Sequence, residues 1–229
     1  MNKVILKNII NQIIRETFDF YEKDENLLTL SIMGSFKDKA KIPDKYNDLD
    51  LFFLFKKVNS ITFFELEKLL KKIIKNHSSK ELEIKYSMLH GPVFKNFSSS
   101  NGILIHNIIF DVPLYKKFSP LGIFSCQQDA GVLIKRKDPK KIRKVEKIKV
   151  SNAINDMPLG FNASLKIISK SININGEWSK NINKEWQLLP KITQIKKGMD
   201  FFDAMSYSVF ASLMNFSRLI YGKKANVSK

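Results

Sequence analysis

Two apolar segments near the N-terminus constrain the fold most strongly. Residues 27–33 (LLTLSIM) form a short apolar run that ends at Gly34, and residues 49–55 (LDLFFLF) are apolar at nearly every position. A strand with one face in water alternates apolar and polar residues, whereas a nearly continuous apolar run predicts burial on both faces. Residues 49–55 are therefore expected to form a central strand, with residues 27–33 as a second buried strand.

The neighbouring segments extend this pattern into an α+β fold. Amphipathic spacing predicts helices over residues 3–22 and from Ser60 onward, and alternation predicts strands over residues 82–89 and 103–112. The resulting order of helix, strand, strand, helix, strand, strand is typical of a small mixed β-sheet with flanking helices. We expect this core to occupy residues 1–120.

The remaining residues, 121–229, are expected to form a mostly helical region that packs on the core and binds an acceptor. Asp138-Pro139 is typical of a helix start, and residues 200–221 read as a long helix that Gly222 ends. Trp178 and Trp186 lie in a segment without clear periodicity, and we interpret both as core residues.

Charge and cysteine content narrow the function classes. The formal net charge of the 229 residues is +17, which favours a polyanionic partner such as a nucleic acid or a nucleotide. Cys126 is the single cysteine, so it excludes an internal disulfide and a thiolate metal cluster. No segment approaches the ~20 apolar residues that span a bilayer. These features predict a cytoplasmic protein without a membrane segment.

A Gly-Ser pair and two aspartates stand at the ends of the two apolar runs. Gly34 and Ser35 offer bare backbone N–H groups and a small hydroxyl, which suit a phosphate. Asp48 and Asp50 are two residues apart on the second strand, so their side chains are expected on one face. A phosphate site beside two convergent carboxylates is what metal-assisted nucleotide transfer requires.

Met33-Gly34-Ser35, twelve intervening residues and Asp48-Leu49-Asp50-Leu51 together resemble the nucleotidyltransferase superfamily of the DNA polymerase beta type. The resemblance covers residues 27–115 and implies a palm-like core that binds an NTP such as ATP. It implies two Mg²⁺ ions, with Mn²⁺ as an alternative, bridged by Asp48 and Asp50. It also implies that Asp111, in the apolar run 108–112, holds the ion that activates the acceptor hydroxyl.

Simpler interpretations of these acids remain open. Asp48 and Asp50 could be turn-forming residues at the start of a strand, and Asp111 could be a strand-end acid beside Pro113. His90, which precedes Gly91-Pro92, could contact nucleotide, although a turn-forming role is favoured.

The densest basic run lies over residues 135–149. On the predicted helix over residues 140–149, four residues are candidates for binding a polyanionic acceptor: Lys140, Lys141, Arg143 and Lys144. The alternative is a solvated helix face in a chain rich in lysine.

The function predicted from sequence is transfer of a nucleoside monophosphate from an NTP to a hydroxyl acceptor. The positive charge favours RNA, such as a tRNA-like 3′ end, as that acceptor. Transfer to a protein or small-molecule hydroxyl, of the toxin-antitoxin or antibiotic-modifying type, is one alternative. A non-catalytic nucleic-acid-binding protein with this fold is another, and a partner protein is compatible with any of these functions.

Overall fold

The structure, a computed structural model, describes residues 3–36, 48–90, 101–118, 131–144 and 172–194. The helices are α1 (Lys3–Tyr21), α2 (Ser60–His77) and α3 (Val112–Lys117), with single helical turns at Gly34–Phe36 and Pro139–Ile142. The strands are β1 (Leu27–Met33), β2 (Asp48–Phe55), β3 (Glu83–Ser87), β4 (Gly102–Asp111), β5 (Gly131–Lys135), β6 (Ile172–Lys180) and β7 (Trp186–Gln194). The predicted order from the first helix to the fourth strand is confirmed.

Five strands form one mixed sheet in the order β3-β4-β2-β1-β5. β1 pairs antiparallel with β2 and with β5, whereas β4 pairs parallel with β2 and with β3. Parallel neighbours need a long crossover, and α2 lies in the connection that leads from β2 to the β3–β4 pair. The α+β fold with flanking helices is confirmed, and β2 is its central strand.

β2 is buried on both faces, as its continuous apolar run predicted. On one face the strand residues pack against α1 and α2, and four of them are fully buried: Leu49, Leu51, Phe53 and Phe55. On the other face Phe52 contacts Phe110 and Tyr115, with ring centroids 5.8 and 6.2 Å apart. The same side of β2 that carries Phe52 carries Asp50 at its N-terminal end, because side chains two residues apart share a face.

The ends of α1 and α2 are held by specific polar contacts. The Asn59 side chain accepts from Thr62 N, so this residue caps α2 and Ser60 begins the helix. At the end of α1, the Arg136 guanidinium donates to the carbonyl oxygens of Tyr21, Glu22, Asp24 and Leu27. Arg136 directly follows β5, so one side chain joins the edge strand of the sheet to the C-terminal end of a helix.

β6 and β7 form an antiparallel hairpin that packs on the core through both tryptophans. Trp178 is buried and donates from Nε1 to Ile109 O at 2.9 Å. Trp186 stacks on Phe63 of α2 with ring centroids 4.6 Å apart. The prediction that these residues pack in the core is confirmed for Trp178, and Trp186 is half-buried.

The region after residue 120 differs from its prediction. β5 lies beyond that boundary and still pairs with β1, so the sheet extends past residue 120. The described residues of this region are mainly strands, which corrects the mostly helical prediction for residues 131–144 and 172–194. The basic helix predicted over residues 140–149 ends at Ile142, while residues 145–149 and the helix predicted over 200–221 lie outside the described residues. Within the described ranges, no helix is long and apolar enough to cross a membrane.

His90 joins the hairpin to the sheet. Its backbone N–H and C=O pair with those of Gly176, each at 2.8 Å, and its Nε2 lies 2.7 Å from Ile109 O. Burial lowers the pKa of His90 from 6.5 to about 4, with a smaller lowering contribution from His106. His90 is therefore a neutral, buried bridge residue, which does not support contact with nucleotide, and the turn predicted at Gly91-Pro92 lies outside the described residues.

We expect the buried His90 to make the protein less stable in mild acid. The unfolded chain takes up a proton as the pH falls below 6.5, whereas folded His90 stays neutral until the pH nears 4. Between about pH 7 and pH 5 the wild-type free energy of unfolding should therefore fall by about 2 kcal/mol more than that of His90→Gln. Urea unfolding of both proteins at each pH measures this difference. Parallel losses in the two proteins would contradict the assignment.

Candidate active site

Gly34 lies directly against the carboxylate of Asp50. Gly34 has a φ of +67°, a conformation that side chains disfavour, and it begins the helical turn that follows β1. A Cβ placed on it would lie 2.6 Å from Asp50 Oδ2, so a side chain at this position would require the carboxylate to move. The antiparallel pairing of Met33 with Asp50 brings the two residues together. Gly34 and Asp50, which the sequence predicted to be neighbours, are therefore adjacent in the structure.

His106 holds the other oxygen of the Asp50 carboxylate. The parallel register of β2 and β4 pairs Asp50 with His106, and Nδ1 of the imidazole lies 3.0 Å from Asp50 Oδ1. The second ring nitrogen, Nε2, lies 2.8 Å from the carbonyl oxygen of Leu89, which can only accept. A neutral imidazole carries one N–H, so hydrogen bonds to both Leu89 O and Asp50 Oδ1 require a proton on each ring nitrogen. Asp50 keeps 25% of its side chain exposed, whereas His106 keeps 9%. The Asp50 carboxylate is thus partly exposed to solvent, whereas its partner His106 is buried.

Sequence reasoning assigned no role to His106. The residue lies inside an apolar run, and its spacing from Asp50 in the chain carries no known pattern. The signal that identifies it is the pairing of β2 with β4, which brings two residues 56 positions apart side by side.

Asp48 and Ser35 occupy the backbone positions that the sequence predicted. Asp48 is the first residue of β2, pairs in register with Leu104 and precedes Asp50 by two residues. Ser35 lies in the turn Gly34–Phe36. The side chains of both residues, and all of residues 37–47, lie outside what the structure describes.

Asp111 is not brought to Asp50. The register pairs Asp111 with Phe55, five residues beyond the pair of His106 with Asp50 along both strands. At about 3.3 Å per residue this separation is about 16 Å. The buried Asp111 side chain instead accepts from Leu114 N at 2.8 Å and caps α3. The geometry corrects the prediction that Asp111 serves the same metal site, and it matches the alternative of a strand-end acid.

The four basic candidates divide into two groups. Lys140, Lys141 and Lys144 are exposed on or beside the helical turn Pro139–Ile142. Arg143 instead has extended backbone and donates from its guanidinium to the carbonyl oxygens of Tyr115 and Phe118. Its charge lies against the end of α3, so its role is to connect two segments of the fold. Only the three lysines keep the exposure that was predicted for an acceptor-binding surface.

Comparison with known proteins yields little. No family model and no curated protein matches the chain. Among solved structures it is similar to the crystal structure of a mutant of the toxin-antitoxin MntA-HpeT. That likeness has a TM-score of 0.29 and 9% sequence identity, and it covers 73% of this chain and 93% of that chain. A likeness of this size establishes neither a family nor a function.

We expect Gly34→Ala to destabilise the protein through two separable effects. The positive φ costs about 1–3 kcal/mol for a residue with a side chain, and the added methyl group also clashes with Asp50 Oδ2. In an Asp50→Ala background the clash disappears while the backbone strain remains. Chemical unfolding of the two single variants and the double variant measures the coupling. Equal costs of Gly34→Ala in both backgrounds would show that the two residues do not touch.

Proposed function

We propose that this protein is a nucleotidyltransferase that moves a nucleoside monophosphate from an NTP, such as ATP, to a hydroxyl acceptor. The observation that carries the proposal is the contact between Asp50 Oδ2 and the glycine turn at the end of β1. A carboxylate beside bare backbone gives one place for a cation and an adjacent place for the phosphates that the cation would bind.

We propose that the ion bound at this carboxylate is a divalent cation of the Mg²⁺ type. Asp50 offers a hard carboxylate oxygen that remains partly open to solvent, and Gly34 leaves the space beside it free of a Cβ. We propose Asp48 as the second carboxylate ligand, with Gly34 and Ser35 binding phosphate oxygens, and Mn²⁺ as an alternative to Mg²⁺. When bound, such a cation neutralises the charge that develops on the transferred phosphoryl group.

The position of Asp111 changes the proposed division of roles. A two-ion arrangement predicted from sequence needed a third carboxylate from a neighbouring strand, and the residue beside Asp50 on β4 is His106. We therefore propose that Asp48 and Asp50 provide the protein carboxylates for the cation. Asp111 is proposed to stabilise the start of α3 and to take no part in transfer.

We propose RNA as the acceptor on the basis of charge. The net charge of +17 attracts a polyanion, and the exposed Lys140, Lys141 and Lys144 lie on one short segment. Arg136 and Arg143 are excluded from that surface, because their guanidinium groups donate to backbone carbonyl oxygens. A protein or small-molecule hydroxyl remains the alternative acceptor that a labelling experiment can reveal.

Asp50→Asn should abolish transfer while leaving the fold intact. Losing a carboxylate that binds the cation should lower the transfer rate about 1,000-fold or more. Asp19→Asn makes the same chemical change at an exposed ion pair on α1, and Asp111→Asn replaces one helix-capping side chain with another. Both should retain rates close to wild type. The assay supplies each α-labelled NTP with Mg²⁺ and a cell extract, and follows label into RNA, DNA, protein or small molecules.

The outcomes separate the proposals. If Asp111→Asn loses as much transfer as Asp50→Asn, the assignment of Asp111 as a helix cap alone is wrong. Absence of transfer by the wild-type protein with all four NTPs, together with nucleic-acid binding, would favour the non-catalytic alternative. Label in protein or small molecules would show that RNA is not the acceptor and would support the alternative acceptor.

The lysines beside the turn Pro139–Ile142 should contribute to RNA binding through phosphate contacts. Each phosphate contact on single-stranded RNA adds about 0.7 to the slope of log K against log salt, so Lys140→Gln with Lys141→Gln should reduce that slope by about 1.4. The control, Lys72→Gln with Lys75→Gln, removes the same charge from exposed positions on α2, a helix that packs on the sheet face opposite Asp50. Single-stranded RNA binding measured across a salt titration should separate the two double variants. Equal slopes in both would assign the effect to net charge alone.

A further inference from the structure

His106 is the buried partner of the exposed carboxylate, and the structure holds it from both sides. Its Nδ1 lies 3.0 Å from Asp50 Oδ1 and its Nε2 lies 2.8 Å from the carbonyl oxygen of Leu89. The two ring nitrogens are fixed in one plane, so these two contacts together determine how the imidazole is oriented.

The Leu89 carbonyl group that His106 Nε2 contacts is held in place by its neighbours in the fold. Leu89 directly precedes His90, whose backbone N–H and C=O both pair with Gly176 of β6 at 2.8 Å. The Leu89 carbonyl therefore sits between β3 and a fixed bridge to the hairpin. An imidazole held at Nε2 by such a group presents Nδ1 to Asp50 in a set direction.

The two oxygens of Asp50 consequently have different surroundings. Oδ1 lies against His106, and Oδ2 lies 2.6 Å from the position that a Cβ on Gly34 would occupy, beside the place proposed for the cation and phosphates. A carboxylate without a fixed partner rotates about its own bonds, whereas a hydrogen bond to one oxygen restricts the direction of the other. Residues that hold a metal ligand in this way are typically worth about 10- to 100-fold in metal affinity or activity.

We propose that His106 is a positioning residue for the transfer reaction. With a proton on each ring nitrogen, His106 donates from Nε2 to the Leu89 carbonyl oxygen and from Nδ1 to Asp50 Oδ1, and so it keeps Oδ2 directed at the Gly34 turn. This proposal rests on the proposed function for its effect on transfer, but the contact itself can be tested without nucleotide.

Two substitutions of His106 separate its two hydrogen bonds. The amide of asparagine lies near the position of Nδ1, so His106→Asn can keep a donor toward Asp50 and loses the contact with Leu89. The amide of glutamine reaches the position of Nε2, so His106→Gln can keep the contact with Leu89 and loses the one with Asp50. If His106 has a purely structural role, the loss of Mn²⁺ binding and transfer in each variant should parallel its loss of thermal stability. If His106 positions Asp50, the loss should depend only on whether the variant keeps a donor toward Asp50.

The experiment measures Mn²⁺ binding without nucleotide, transfer kinetics with NTP, and thermal unfolding for the wild type and both variants. We expect His106→Gln to lower Mn²⁺ affinity or kcat about 10- to 100-fold, with a smaller change in the KM for NTP. His106→Asn should keep most of the wild-type Mn²⁺ affinity and kcat, even if its melting temperature is lower than that of His106→Gln. His77→Gln is the matched control, since His77 is a half-buried histidine that is also paired with a carboxylate, that of Glu16, between α1 and α2. It should leave Mn²⁺ binding unchanged.

Two results would overturn the proposal. One is wild-type Mn²⁺ affinity and kcat in His106→Gln. The other is an equal loss in His106→Asn and His106→Gln, which would place the requirement on the imidazole itself or on its contact with Leu89.

The ring ¹⁵N signals of His106 give a test that does not depend on catalysis. They should shift in Asp50→Asn, while those of His77 should stay in place, and unchanged His106 signals would show that the two side chains are not bonded. If the wild-type protein transfers no nucleotide, the proposed function fails. The Mn²⁺ and ¹⁵N measurements would then still decide whether His106 positions Asp50.

Discussion

The parallel pairing of β2 with β4 is the constraint on which the site depends. It covers one edge of the central strand with β4 and places the N-terminal ends of the two strands side by side. The pairing also decides which residue lies beside Asp50, and that residue is His106. With β1 antiparallel on the other side of β2, the glycine turn that follows β1 approaches the same carboxylate. Three segments that are distant in the chain thus meet at one aspartate.

Continuous apolar runs made the first half of the fold predictable. Burial on both faces leaves few alternatives for β1 and β2, and the stripe of α2 is unambiguous. The second half was not predictable from local patterns. The helix from Pro139 was expected to continue, but Arg143 leaves it to donate to carbonyl oxygens at the end of α3. The hairpin of β6 and β7 has no strong local signal, and Trp178 is buried by contacts with distant Ile109.

The candidate site, like the fold, was only partly predictable from the sequence. Gly34 and Asp50 were predictable because Gly34 directly follows β1 and Asp50 lies on β2, the next strand along the chain. The third acid was predicted at Asp111 because it ends an apolar strand, yet nothing in the sequence gives the register of that strand against β2. The register pairs Asp111 with Phe55 and His106 with Asp50. Residues on non-consecutive strands can be assigned to a site only when their pairing is known.

The segment of residues 131–144 has a consequence for where this domain can end. β5 covers the edge of β1, Arg136 supplies donors to the carbonyl oxygens at the end of α1, and Arg143 does the same for α3. The planar five-donor guanidinium suits this task better than the ammonium of lysine, which dominates the chain elsewhere. A chain stopped at residue 120 would lose β5 from the edge of β1 and the arginine donors from two helix ends. The smallest folding unit therefore includes a segment that carries none of the acidic residues of the site.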